Sequence, residues 1–249
     1  MRSIRRAIVA SACAGAVLVL TGPGSTATID MPRRAVVPAT APNAQKPAVI
    51  LKRIPFGATR KHQMAAYSKR HYGTWAWRLQ DPKVIVEHFT GGNSFTSAWN
   101  TFAANSRHLG EMPGTCAHFI IDSNGRIYQL VWLTIRCRHA VGMNWTAFGI
   151  EMVGTSDHQI LNRPKQIGAA YRLTLWLMQR FHIQLRNVIG HHENLISPYH
   201  HELYPSWRCQ THADWNHADM KVFRRHVRAM AILHHVPIGP APVWVHPNC

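Results

Sequence analysis

Apolar residues recur at helical spacing in two stretches of the second half of the chain. Between Ile167 and Phe181 they fall at every third or fourth position, and a series with the same spacing runs from Met220 to Met230. This spacing gathers apolar side chains on one side of a helix. We therefore predict two long amphipathic helices that cover a sheet, with Asn216 as the N-cap of the second.

A shorter, basic helix is predicted from Ala58 to Tyr72, where Gly73 ends it. Its apolar face is thin, so we expect it to pack at the periphery. Three aromatic residues further along also recur at helical spacing: Phe95, Trp99 and Phe102. We interpret these aromatics as core residues instead of a sugar-stacking surface.

The strand patterns complete the predicted fold. The run Val84–Phe89 has apolar residues at both odd and even positions, which is typical of an interior strand. Apolar runs at 118–122 and 126–131 flank a Ser-Asn-Gly turn and predict a hairpin. Further strands are expected at 148–154 and 187–192. Because helical and strand patterns alternate, we predict an α/β fold with a central mixed β-sheet and helices on both faces.

The two ends of the chain differ from its middle. Residues 1–27 have a basic start, an apolar run and a small-residue cleavage pattern, which is typical of a secretory signal peptide. Residues 28–52 are rich in Pro and Ala and are predicted to be a linker, and residues 236–249 are predicted to be a Pro-rich tail. The intervening residues 53–235, with 53–80 as a lead-in, are long enough for one domain. We expect a secreted or wall-associated protein.

The charge of the chain points to anionic partners. There are 28 Lys and Arg against 11 Asp and Glu, a formal net charge of +17, and removal of residues 1–27 with their three arginines leaves +14. A charge of this sign favours nucleic acid, a membrane surface, or the carboxylates and phosphates of a bacterial wall. Since export is predicted and no nucleic-acid motif supports the first, we expect anionic cell-wall polymers as partners of a monomeric protein.

Histidines and acidic residues cluster late in the predicted domain. His191 and His192 end an apolar run, and His212 and Asp214 follow about twenty residues later. Imidazoles and carboxylates are ligands that zinc takes in proteins. His88, near the end of the interior strand, would supply a further ligand, because α/β proteins bind ligands at the ends of such strands.

Four blocks of sequence occur in order between residues 54 and 233. They are Val86-Glu87-His88-Phe89-Thr90, the hairpin from Ala117 to Leu130, the run from His139 through Asn144 to Gly154, and Gly190-His191. Together they resemble the zinc-dependent N-acetylmuramoyl-L-alanine amidases, which share a fold with the peptidoglycan recognition proteins and phage amidase lysozymes. The resemblance implies hydrolysis of the amide bond between N-acetylmuramic acid and L-alanine in peptidoglycan, with one zinc ion per chain.

The resemblance also implies which residues bind zinc. In the family, a His two residues before a Thr and a His directly after a Gly are ligands, and these match His88 and His191. The third ligand normally follows a Thr, which here selects His212. Asp214 is the rival, as a ligand or as an acceptor that orients an imidazole, and Cys209 is a third candidate.

Glu151 lies between apolar residues of its predicted strand, where a carboxylate needs a partner or a task. The matching Glu of the family assists catalysis, so Glu151 is expected to position or deprotonate the attacking water. His118 and Asn144, which lie within the matching blocks, are assigned to substrate binding. Two positions depart from the family pattern: Gln210 stands where members often have Lys before the third ligand, and Ala117 where some have a catalytic Tyr.

Four cysteines follow residue 27: Cys116, Cys137, Cys209 and Cys249. An even number in an exported protein suggests disulfides, with three possible full pairings. Cys116 precedes the predicted hairpin and Cys137 follows it, so we expect these two to pair. Cys209 would then pair with Cys249, unless Cys209 is a zinc ligand and Cys249 is free.

Two other functions compete with the enzyme. The first is a recognition module that binds peptidoglycan in the same cleft without cutting it, and candidate ligands at all three positions favour the enzyme over it. The second is an exported basic protein that binds nucleic acid, which only the charge supports.

Overall fold

The computed structural model describes residues 43–247, which contain a six-stranded sheet. The strands are β1 (Val49–Leu51), β2 (Val84–Phe89), β3 (Phe119–Ile121), β4 (Ile127–Gln129), β5 (Ala147–Met152) and β6 (Val188–Gly190). Their order across the sheet is β1-β4-β3-β5-β2-β6, and β3–β4 is the antiparallel pair within it. The predicted mixed sheet and the predicted hairpin are confirmed.

Helices cover both faces of this sheet, as predicted. They are α1 (Ala58–Tyr72), α2 (Phe95–Ala104), α3 (Asp157–Leu161), α4 (Pro164–Phe181) and α5 (His217–Leu233). The two long helices, α4 and α5, share one core with the sheet side chains of Phe119, Phe148 and Ile150. On the other face, Phe102 of α2 packs with Ile120 in the core as predicted, whereas Phe95 and Trp99 are only half-buried against it. Three short 3-10 helices lie at Leu185–Asn187, His191–Ile196 and Pro205–Trp207.

Local signals in the sequence end and begin these helices. Gly73 has a positive φ of 75° and terminates α1, a conformation that glycine adopts without the steric cost of a Cβ. The side chain of Asn216 accepts hydrogen bonds from the backbone N–H groups of Ala218 and Asp219, which confirms it as the N-cap of α5.

The expected peripheral packing of α1 is wrong. Met64 and Tyr67 are fully buried, and so are polar residues on the same side of the helix. Arg60 is one of these, and its guanidinium donates to the carbonyl oxygen of Phe102 at 2.7 Å and to that of Thr115 at 3.0 Å. Because distant backbone carbonyls satisfy the guanidinium, a helix with a thin apolar face becomes part of the interior.

The ends of the predicted domain also need correction. The linker predicted over 28–52 includes β1, which pairs in parallel with β4, so the chain joins the sheet before residue 53. The tail predicted from residue 236 packs on the domain: Val236 is buried, and the Val245 N–H donates to the Ile196 carbonyl at 2.9 Å. The predicted signal peptide, the rest of the linker and Cys249 lie outside the described residues. Between residues 43 and 247, no helix has the length and apolar character needed to cross a membrane.

Candidate active site

Two neighbouring strands carry the first pair of site residues. His88 in β2 is the register partner of Glu151 in β5, close to the carboxyl ends of both strands. On β2, the preceding residue Glu87 points to the sheet face that α4 and α5 cover, where the Thr174 hydroxyl of α4 donates to it at 2.8 Å. Because successive side chains of a strand alternate, His88 points to the opposite face. Glu151 shares that face, since its neighbour Ile150 is in the core with α4.

The second pair meets where β6 ends. His191 follows Gly190, and a Cβ at Gly190 would collide with the backbone of Trp215. The absence of that Cβ lets the segment before α5 lie against the end of β6. Backbone bonding continues this contact, since the His192 N–H donates to the Asp214 carbonyl at 3.0 Å. As a result, Asp214 lies beside His191.

His88, His191 and Asp214 form one buried cluster. A ligand atom from each lies within 4.8 Å of the others. Oδ2 of Asp214 is 3.1 Å from Nδ1 of His88, and Oδ1 is 3.2 Å from Nδ1 of His191. The two imidazole rings meet at a centroid distance of 4.5 Å. Within residues 43–247, this cluster is the group of three or more His, Cys, Asp or Glu that could hold a metal ion.

This geometry does not support the preference for His212 as third ligand. The His212 side chain is 56% exposed, and its Nδ1 lies 4.0 Å from Asp214 Oδ1. Its ring stacks on that of His191, with centroids 4.7 Å apart. Asp214, offered by the sequence as the rival, takes the central place between the two buried imidazoles. His192 is exposed, and its ring contacts the His212 carbonyl.

Burial and charge set the protonation of this cluster. Burial disfavours the charged form of Asp214, but the imidazoles of His191 and His88 outweigh it and hold the pKa of Asp214 well below its ordinary value. Burial, together with the neighbouring His191, lowers the pKa of His88 to about 4. At neutral pH the cluster therefore contains a carboxylate and a neutral His88, which are the forms that bind metal ions.

Glu151 is in a different electrostatic state. It is 9% exposed, and its Oε2 atom is buried without a hydrogen-bond partner. Burial, together with the negative charge of Asp214, raises its pKa to about 8. A carboxyl group with a pKa near neutrality in a cleft can accept and release a proton at physiological pH.

The cluster opens into a cavity of about 410 Å³. The three cluster residues, Glu151 and the exposed His212 line this cavity. Its other lining residues include Phe89, Thr90, Phe102, His108, Thr115, Arg138 and His139. Phe102 thus borders the cleft while its ring packs in the core. The site therefore joins two imidazoles and a carboxylate, arranged as a metal centre, with a second carboxyl group of raised pKa in one open cleft.

Residues 78–214, more than half of the chain, match a family model described as N-acetylmuramoyl-L-alanine amidase. The matched range contains His88, Glu151, His191 and Asp214. The chain belongs to this family. Its enzyme class is accordingly that of the N-acetylmuramoyl-L-alanine amidases.

Two solved structures are similar to this enzyme. The N-acetylmuramoyl-L-alanine amidase LysC from Clostridium intestinale URNW is 22% identical, with 58% of this chain and 82% of that chain covered and a TM-score of 0.41. A mutant endolysin from Bacillus subtilis is 25% identical, with 58% and 84% covered and a TM-score of 0.39. A comparison with curated proteins gives no match.

Two residues assigned to substrate binding are structural in this enzyme. His118 is fully buried; its Nε2 bonds to the Ile135 carbonyl at 2.9 Å and its Nδ1 accepts the Gly149 N–H at 3.0 Å. Asn144 is also fully buried. Its Oδ1 accepts the backbone N–H groups of His139 and Ala140 at 2.8 Å each, and its Nδ2 donates to the hydroxyls of Tyr67 and Tyr72. Neither side chain has a polar atom left for a substrate.

His139 is a site residue that the sequence reasoning assigned no definite role. Its Nδ1 lies 3.1 Å from Nε2 of His88, so both ring nitrogens of His88 have a neighbour. A Cβ at Gly149 would collide with the His139 ring, so this glycine leaves the room that His139 occupies beside β5. The available signal was the position of His139 at the start of the third matching block.

A disulfide joins Cys116 and Cys137, as predicted, with their Cα atoms 5.2 Å apart. Cys116 borders the cleft, and Cys137 leads directly into Arg138 and His139. Cys209 is also disulfide-bonded, which removes it as a thiolate ligand. The proposed partner of Cys209, Cys249, lies outside the described residues.

Proposed function

We propose that this chain is an exported, zinc-dependent amidase that cleaves the bond between the lactyl group of N-acetylmuramic acid and the L-alanine of the stem peptide in bacterial peptidoglycan. The observation that carries this proposal is the buried cluster of His88, His191 and Asp214 next to Glu151. The signal-peptide pattern of residues 1–27 supports export. So does the Cys116–Cys137 disulfide, since such bonds persist in oxidising compartments.

The residues of the cluster fit zinc. Two imidazoles and one carboxylate are a donor set that catalytic zinc sites use, with one position left for water or substrate. Asp214 Oδ1 is buried and lies 3.2 Å from His191 Nδ1 without the geometry of a hydrogen bond, an arrangement that a cation bound between the two would satisfy. When held by His88, His191 and Asp214, zinc would act as a Lewis acid and lower the pKa of water from 15.7 to about 7.

Glu151 is the proposed proton carrier. Water adds to the carbonyl carbon of the amide, and Glu151 accepts a proton from that water. The bond between carbonyl carbon and nitrogen then breaks, and Glu151 returns the proton to the nitrogen of L-alanine. The products are the free lactyl carboxyl group and the free amine. Burial raises the pKa of Glu151, which favours its hold on the proton until the nitrogen takes it.

His212 has a different role in this proposal from the one its sequence position first suggested. With Asp214 as the third ligand, the residue two positions earlier is His212, and the family often has Lys at that position. His212 lines the cleft, and its exposed ring is free to approach a bound substrate. We assign it the contact with the carbonyl oxygen of the scissile amide, so Gln210 no longer stands for a missing cation.

Digestion of purified peptidoglycan by the full chain, with and without a chelator, tests this function. Mass spectrometry is expected to find intact stem peptides that begin with a free L-alanine amine, together with glycan strands that carry no peptide. The chelator should abolish this release, and added zinc should restore it. Binding without release would identify a recognition module, and release that survives complete zinc removal would contradict the metal assignment.

A further inference from the structure

A second surface combines exposed tryptophan with unpaired positive charge. Arg53 lies over the ring of Trp132 at 3.9 Å, Lys52 over Trp99 at 5.2 Å and Arg78 over Trp77 at 4.2 Å. We call these six residues the tryptophan–cation strip. Lys61 of α1 also lies over Trp77, at 4.7 Å.

The strip is continuous because three backbone segments lie side by side. The Lys52 N–H bonds to the Gln129 carbonyl at 3.1 Å, beside the turn that carries Trp132. The Arg136 N–H bonds to the Trp77 carbonyl at 2.9 Å. The Trp99 indole N–H donates to the Lys52 carbonyl at 2.9 Å, which attaches α2 to the same surface.

The strip lies away from the cleft. Lys52 follows the end of β1 and Trp132 comes soon after β4, and both strands run opposite to β2 and β5. In register, Tyr128 of β4 lies level with Glu151 of β5, so Lys52 and Trp132 lie only a few residues from that level along the strands. The separation from the cleft is sideways, because β3 and β4 lie between β5 and β1 and neighbouring strands are about 4.8 Å apart. None of the six strip residues borders the cavity of the candidate active site.

The positive charges of the strip are not balanced by acidic residues in the segment that carries them or by ion pairs. Residues 43–80 contain eight Lys and Arg and no Asp or Glu. Among the described residues, the ion pairs involve none of Lys52, Arg53 or Arg78. Two guanidinium nitrogens of Arg53, Nε and Nη1, are buried without a hydrogen-bond partner. A polyanion would supply the missing countercharge.

The exposed tryptophans indicate which chemical groups the partner contains besides negative charge. Trp132 is 64% exposed although Arg53 covers one side of its ring, so the other side faces solvent. Trp75, 59% exposed and in contact with His62 of α1, presents a second open indole nearby. Large aromatic surfaces of this kind on a soluble domain mark binding sites. Flat indoles with one open face suit the apolar face of a sugar ring.

We propose that the tryptophan–cation strip binds a glycan whose repeating units are joined by phosphodiester groups. In such a polymer the charge lies in the backbone beside the sugar rings, which matches alternating cations and indoles. The carboxylates of peptidoglycan lie on its stem peptides, away from the rings. The inference rests on the proposed function in that a cell wall is where the enzyme would meet this polymer. The strip would hold the enzyme there while the cleft acts on the amide.

Titration of the full chain with phosphodiester-linked glycan purified from bacterial walls tests this surface. This polymer contains no amide substrate, so binding is measured whether or not the chain hydrolyses peptidoglycan. The test variants are Trp132→Ala and the double variant Lys52→Glu, Arg78→Glu, whose side chains are exposed. The matched control is Arg225→Glu, Arg228→Glu, which makes the same charge change at exposed positions of α5.

Both test variants are expected to raise the Kd roughly tenfold, and the charge control to change it less than about twofold. Affinity of the wild type should fall steeply with salt, and the uncharged repeating units released when hydrofluoric acid cleaves the phosphodiesters should bind weakly. Unchanged thermal unfolding would show that the variants fold. The proposal is overturned if the glycan does not bind, or if the control weakens binding as much as the test variants. It is also overturned if single-stranded DNA at equal phosphate concentration binds as tightly and loses as much affinity in both test variants.

Discussion

The residues of the cleft and the buried pair His118 and Asn144 are of similar types but are used in opposite ways. In the buried pair, each polar side-chain atom has a partner within the protein. In the cleft, Asp214 Oδ1 and Glu151 Oε2 are buried and make no hydrogen bond, and the nearest partner of Asp214 Oδ1 is a second cleft residue, His191, at 3.2 Å. Leaving such an atom without a hydrogen bond costs about 1–3 kcal/mol, and in an open cleft a bound ligand can offset this cost.

Hydrogen bonding therefore distinguishes these two scaffold residues from these two cleft residues, whereas burial does not. All four residues are less than 10% exposed, and all four lie within the blocks or candidate ligand positions that the sequence singled out. Complete pairing makes His118 and Asn144 parts of the scaffold. Incomplete pairing together with a position in the cleft distinguishes Asp214 and Glu151 from them. The following changes should break or sharpen that division.

Loss of a ligand should have the largest effect. Replacing His88, His191 or Asp214 with Ala should remove zinc, measured by elemental analysis, and reduce the rate of stem-peptide release by at least about 10³-fold. His212→Ala should keep stoichiometric zinc and lose roughly tenfold in kcat, because its proposed role is a contact with the substrate and not with zinc. Zinc retained in Asp214→Ala and lost in His212→Ala would reverse the third-ligand assignment.

Glu151→Gln should have the next largest effect. The amide has nearly the same shape as the carboxyl group but cannot carry the proton, so kcat should fall about 10²–10⁴-fold. Zinc content and thermal stability should stay at wild-type values. A rate within a few-fold of wild type would mean that Glu151 is a structural residue, as Asn144 is.

Asn144→Ala should lower the stability of the folded protein and leave catalysis by the folded enzyme unchanged. It removes the acceptor for the N–H groups of His139 and Ala140 and the donor to two tyrosine hydroxyls. We expect the free energy of unfolding to fall by roughly 2–4 kcal/mol, measured by urea denaturation. Tyr67→Phe, which removes the longer of the two hydroxyl contacts of Asn144 and leaves its backbone contacts in place, should cost less. A normal stability combined with a raised KM would instead place Asn144 at the substrate.

The smallest effect should be a pH dependence from His118. Burial lowers the pKa of His118 to about 4 in the folded protein, against 6.5 for the model imidazole. Between these values the unfolded chain binds the proton and the folded chain does not. The contribution of His118 is therefore fully present above pH 6.5 and is lost as pH falls towards 4.

Urea denaturation of the wild type and of His118→Gln across this pH range measures the contribution. The slope of unfolding free energy against pH should be smaller in the variant by up to about 1.4 kcal/mol per pH unit. The variant should also be less stable at pH 7, because the Gly149 N–H loses its acceptor. Equal slopes in the two proteins would mean that His118 is accessible to protons in the folded state.

Much of this architecture could be predicted from short-range pattern. The spacing of apolar residues in α4 and α5 reports which side of each helix is buried, because 3.6 residues per turn is a local property. Gly73 and Asn216 mark helix ends because their effects act within one turn. The four ordered blocks likewise placed His88, Glu151 and His191, which lie at or next to the ends of predicted strands.

What the sequence by itself could not decide depended on contacts between distant segments. The choice between His212 and Asp214 turns on how the segment before α5 packs against Gly190, which no periodicity within residues 210–214 reports. The burial of α1 depends on carbonyl groups near residues 102 and 115 that satisfy Arg60. In both cases the deciding partner is far away in sequence. Local pattern determines which residues face inward on one element, whereas the partner that a buried polar atom finds there is determined only by the assembled tertiary structure.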